Sequence, residues 1–200
     1  MKPIARRTVN AARPNKKQIE QMWLDLTYKV VEQEFEYVDL LKQHIGGTVF
    51  FKGFQFAEND TFDWFCGGGL LHEIDFFPRF LSRPTVLDSF GENLYSYSAA
   101  KPPVFEVKSG FVVDGELAHL LYEGGAYGST YKQSPAEAKT DARIFCAQLF
   151  QEKYNAQALR YYTSTHAWNT WFNGLIIDYT YLLFCLETRT LWMLCFTDVD

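Results

Sequence analysis

The chain has 200 residues, 48% hydrophobic and 22% charged, enough for one sizeable core and short for two. This is an ordinary globular balance, which excludes an intrinsically disordered chain. The net charge of −5 hides an asymmetry: residues 1–17 carry six bases and no acid, and the rest holds 13 bases against 24 acids, a net −11, which disfavours nucleic acid and favours a basic partner.

The six bases are Lys2, Arg6, Arg7, Arg13, Lys16 and Lys17, and they read as a solvated basic arm over 1–17 ahead of a single domain over 18–200. Ile19, Met22, Trp23, Leu26, Val30, Val38, Leu41 and Ile45 then keep helical spacing, with acids between them. This predicts an amphipathic helix from Asn15 to His44, stopped by Gly46-Gly47. Thr48–Phe56 reads as a strand, with Gly53 marking a bulge or a close backbone approach.

From Thr61 to Phe80 the aromatics are too dense for either period. The Cys66-Gly-Gly-Gly69 break and Pro78 predict a short helix over 69–77 and a loop through Arg83-Pro84. Residues 85–103 read as irregular. Val104–Lys108 and Phe111–Val113 are short strand candidates, and Gly115–Glu123 a brief helix ended by Gly124-Gly125. Ala126–Tyr131 forms a Gly/Tyr loop. Ser134-Pro135-Ala-Glu137 is a capping box with Pro in the first turn, opening a helix as far as Tyr154. Ala158–Thr163 reads as a strand.

The strongest signal is a C-terminal hairpin, Asp178–Leu186 and Leu191–Phe196 around Glu187-Thr-Arg-Thr190. A turn at Thr188-Arg189 pairs Cys185 with Trp192, Leu183 with Leu194 and Tyr181 with Phe196. Both faces are apolar, so the hairpin belongs in the middle of a sheet covered on two sides. The expected fold is α+β: a largely antiparallel sheet with this hairpin at its centre, packed against the N-terminal helix and the helix near 134–154.

Candidate chemistry is sparse. Cys66 before three glycines, with His72 as base, suggests an activated thiol, and His72-Glu73-Ile-Asp75 suggests a metal ligand set. These are the basis of an alternative reading, a small cysteine- or metal-dependent hydrolase using Cys66 or His72. Against it, the second His of an HExxH pair is replaced by Phe76, and no cysteine-enzyme signature is complete. Gly124–Gly128 lacks a phosphate-loop pattern, so no cofactor is expected. His119 and His166 stand alone. Cys66, Cys146, Cys185 and Cys195 show no CxxC spacing and read as buried free thiols. Neither an apolar signal core nor a membrane-spanning run is present, which predicts a soluble cytoplasmic protein without membrane contact.

Aromatics at 18% exceed what strand-filling needs, and some are expected to face a partner. Tyr122, Tyr127 and Tyr131 lie in or beside the Gly/Tyr segment, a composition that suits adaptable binding loops. Asp178, Asp198 and Asp200 are expected to form a charged edge at the strand ends for a basic partner.

The run Trp168, Trp171-Phe172, Asp178-Tyr-Thr-Tyr181, Leu191-Trp192 and Thr197-Asp-Val-Asp200 resembles the C-terminal strands of small bacterial immunity proteins, which bind and neutralise a cognate secreted toxin. The resemblance covers about a sixth of the chain. It implies a cytoplasmic single-domain α+β inhibitor with no chemistry of its own, whose partner is a basic toxin domain.

Overall fold

In the computed structural model of the chain, the described residues are 2–5, 12–91, 95–98, 102–124, 128–150, 158–172, 174 and 178–197. The hairpin strands β5 (Asp178–Cys185) and β6 (Thr190–Thr197) lie at the centre of the sheet, and β6 is buried at every position. Their register pairs Leu183 with Trp192, Tyr181 with Leu194 and Tyr179 with Phe196, two residues from the expected one. The turn takes in Leu186–Arg189, because Arg189 adopts a left-handed φ of 58° and sends its side chain inward rather than forming the tip. A shift of two keeps every side chain on its face. Tyr181, Leu183, Cys185, Trp192 and Leu194 accordingly share one core, and Leu182, Phe184, Met193 and Cys195 the other.

Strand β2 (Thr48–Phe56) spans the expected residues and pairs with β6. Beyond it lies β1 (Tyr28–Val31). On the other side, β4 (Leu159–Ser164) and then β3 (Glu106–Lys108) complete a six-stranded antiparallel sheet in the order β1-β2-β6-β5-β4-β3. With seven α-helices among the described residues, the fold is α+β.

The predicted helix over 15–44 is two helices with β1 between them. Asn15 and Gln18 form a capping box that opens α1 (Lys16–Asp25), and α2 (Glu36–His44) ends where expected. Thr27, Tyr28, Val30 and Val31 are β-branched or aromatic, and edge pairing with β2 outweighs the helical spacing they also satisfy. The broken end of α1 is sealed by Arg83, whose guanidinium donates to the carbonyls of Leu26 at 3.0 Å and Trp23 at 3.3 Å.

Residues 60–90 also depart from expectation. Helix α3 (Asp60–Gly68) carries Cys66 in its last turn and ends on Gly69 at φ 71°, so the glycines close a helix instead of opening one. A 3-10 turn (Leu71–Ile74) leads into α4 (Phe76–Leu81), where Pro78 sits in the first turn and removes no helical hydrogen bond. The short α5 (Pro84–Leu87) follows. These helices and α1 cover one face of the sheet with an aromatic core in which Phe56, Phe62, Phe76, Phe80 and Phe184 touch.

The opposite face is covered by α2, α6 (Val113–Glu123) and α7 (Pro135–Leu149). The strand expected at 111–113 is a 3-10 turn running into α6, started by Ser109, which accepts from the Phe111 amide. Helix α7 has the predicted Ser134/Glu137 capping box and is capped at Phe150; its expected extension to Tyr154 lies outside the described residues.

The basic arm is not wholly solvated. Ile4 is buried and its amide donates to the Leu186 carbonyl at 2.8 Å, Lys2 donates its amide to Glu58 at 2.7 Å, and Arg13 pairs with Glu73 at 2.6 Å. Among the described residues no helix is long and apolar enough to cross a membrane.

Candidate functional site

A concavity of about 440 Å³ lies where α6 crosses the β3–β4–β5 end of the sheet. Helical spacing builds its first wall: Glu116, His119, Leu120 and Glu123 stand at i, i+3, i+4 and i+7 of α6 and so share a face. Strand alternation builds the second. Glu106 and Lys108 point to one side of β3 and Val107 to the other, and Tyr179 and Tyr181 share a side of β5. The pairings Glu106–Thr163 and Thr163–Tyr181 set these in one row, running on through Leu194 into the core.

The cleft is negative. Three carboxylates, Glu106, Glu116 and Glu123, face one lysine, and Lys108 Nζ lies 3.3 Å from Glu106 and 4.0 Å from Glu116. His119 Nδ1 is 3.6 Å from Glu123, and the Tyr161 hydroxyl donates to Glu116. At the rim, His166 Nδ1 is 3.1 Å from the Pro102 carbonyl. Both histidines thus line one cleft, although nothing in the sequence pairs them. Tyr181 is 7% exposed and stacks between Tyr179 at 5.9 Å and Tyr161 at 6.3 Å. Burial, reinforced by Glu116, pushes the Tyr161 and Tyr181 phenols well above their ordinary range, so both stay neutral at physiological pH. Such an arrangement attracts and orients a cation.

Of the residues expected to form a binding surface, the three that are described are half-buried or buried. Tyr122 is half-buried on α6 and packs against the core instead of lining the cleft. Tyr131 is buried rather than exposed. Its hydroxyl donates to Asp141 at 2.8 Å and its ring meets His44 edge-on, because Thr130 and Ser129 dock on the end of α2. Asp178 is also buried; it accepts from the Thr197 hydroxyl at 2.6 Å, and burial raises its carboxyl above the usual range. Tyr127, Asp198 and Asp200 lie outside the described residues. Nor do surplus aromatics face outward: among the described residues, Phe111 is the only exposed aromatic side chain.

The hydrolase alternative meets a physical obstacle. Cys66 is fully buried and its thiol is pushed up by that burial, the reverse of an activated nucleophile. His72 is exposed on the following turn, and neighbouring Glu73 is engaged with Arg13. Among the described residues no three His, Cys, Asp or Glu side chains are grouped to hold a metal ion. All four cysteines are free and buried.

No family model, curated protein or solved structure matches the chain.

Proposed function

We propose that this chain is a non-catalytic binding module that holds a basic partner protein in the cleft between α6 and the β3–β4–β5 end of the sheet. The observation that carries this reading is the lining itself: three carboxylates against one lysine, beside two tyrosines, in a cavity of about 440 Å³. The net −11 of residues 18–200 adds long-range attraction for the same partner. The resemblance of the C-terminal strands to immunity proteins suggests the partner's class, a toxin domain neutralised in the cytoplasm. On this reading, binding rather than turnover is the activity, in keeping with the inert environment of Cys66.

A photoreactive amino acid placed at His119, on the cleft, or at Leu24, an exposed position on α1 over the opposite face, tests it. The His119 probe is expected to label one protein which, once purified, forms a saturable 1:1 complex that weakens as salt rises. Labelling from Leu24 alone, or a complex indifferent to salt, contradicts the proposal.

A further inference from the structure

The cleft has a composition more specific than negative charge. Its charged groups are the carboxylates of Glu106, Glu116 and Glu123 against the ammonium of Lys108, with the hydroxyls of Thr163 and Ser164 able to accept beside them. Tyr181 lines it while 7% exposed, and its phenol oxygen has no hydrogen-bond partner among the described residues. Its hydroxyl oxygen is open to the cleft rather than sealed in the core. It lies on the row that leads from Glu106 into the core, at the inner end of the acidic wall.

We propose that the cleft is the receptor for a single arginine side chain of the partner, with the guanidinium at the Tyr181 hydroxyl, beside Tyr179 and between the carboxylates. This rests on the reading of the chain as a binding module and names what that module recognises. A guanidinium carries five N–H donors and no acceptor, and so can serve the three carboxylates and the Tyr181 hydroxyl oxygen together. It is planar and weakly hydrated, so it loses less on leaving water for a half-enclosed acidic site than an ammonium, which is compact and strongly hydrated. Lys108 leaves the set short of charge balance by two positive charges, one of which a single arginine supplies. The Val104 side chain, 65% exposed at the rim, offers apolar contact for the methylene stem. An anionic ligand finds three carboxylates and one lysine, and is repelled.

The test uses defined peptides rather than the partner. Acetyl-Gly-Arg-Gly-amide, its citrulline analogue and its lysine analogue are titrated into the whole chain while the tyrosine ring resonances are followed by NMR. The arginine peptide is expected to shift the Tyr179 and Tyr181 resonances saturably, with the lysine peptide weaker and the citrulline peptide at least about tenfold weaker. In the Glu106→Gln, Glu123→Gln double variant, whose unchanged fold is verified by circular dichroism, arginine affinity should fall by about tenfold or more. Equal binding of arginine and citrulline, no saturable shift at those rings, or an unchanged double variant overturns the proposal. If arginine fails while the partner still needs Glu106 and Glu123, the arginine receptor is wrong and the binding module survives. If arginine binds and the partner ignores both carboxylates, the receptor stands and the partner docks elsewhere.

Discussion

Gly53 of β2 and Trp192 of β6 stand directly opposite each other, and the indole lies over the glycine so closely that a Cβ there would be 2.6 Å from a ring carbon. The glycine is therefore a packing requirement of the central strand: it leaves room for an indole that also stacks on Phe51 at 5.3 Å. Gly53→Ala should cost about 1–3 kcal/mol by overpacking, and Trp192→Ala about 3–5 kcal/mol by opening a cavity. Because each change relieves part of the other, Gly53→Ala with Trp192→Ala should cost clearly less than the sum. Denaturant unfolding of the three variants decides it, and strict additivity would show that the two residues do not touch.

Arg189 closes the hairpin from inside. Its guanidinium is wholly buried, is held by both Asp63 oxygens at 2.6 and 2.8 Å, and donates to the carbonyls of Ala57 at 2.7 Å and Phe56 at 3.2 Å. A buried charge robbed of its counter-ion is costly, so Asp63→Asn should destabilise the fold by about 3 kcal/mol or more. A loss under about 1 kcal/mol in a two-state urea melt would contradict the buried pair.

Asp178 should weaken the fold as pH rises. Its folded-state pKa is raised by burial, so the native state holds the proton more tightly than the unfolded chain. The penalty is absent below the unfolded pKa, grows as pH rises between the two values, and is complete above the folded one. Asp178→Asn keeps an acceptor for Thr197 and removes the titration. It should raise the melting temperature at pH 7, with the gain shrinking towards pH 3. A variant less stable than the parent at pH 7, or a gain equal at both pH values, would mean that the carboxylate is not disfavoured in the fold.

The thiols offer a simpler check. All four should react slowly in the native protein and fully once it is denatured without reductant, since all are buried and unbridged. Burial pushes Cys146 up to about 12 and Cys66 further. Fast native labelling of Cys66 would revive it as a nucleophile.

What the sequence discloses is what short range determines. The helix start at Asn15, the capping box at Ser134, the β2 boundaries and the two apolar faces of the hairpin all follow from local pattern, and the structure has them. The hairpin register slipped by two because Arg189 reads as a turn-tip residue, whereas its burial depends on Asp63, far away in the chain. Val30 fits the helical spacing that runs on from Leu26, yet residues 28–31 become a strand because β2 is there to pair with them. The cleft was half legible. The spacing of Glu116, His119 and Glu123 marks a polar helix face, and the alternation of Glu106 and Lys108 marks a strand side. That those two surfaces enclose Tyr179 and Tyr181 depends on the strand order β5-β4-β3, which no local pattern states.

The central claim is that a basic partner is drawn to and held in this cleft. The most direct measurement is the association rate of the purified partner as a function of ionic strength, for the parent chain and for Glu106→Gln with Glu123→Gln. Exposed charges are screened beyond about 8 Å at physiological salt, so steering by these carboxylates is visible in the slope. The account predicts several-fold slower association for the double variant at low salt and a flatter dependence, the two chains converging as salt rises. Equal rates and equal slopes at every ionic strength would contradict it.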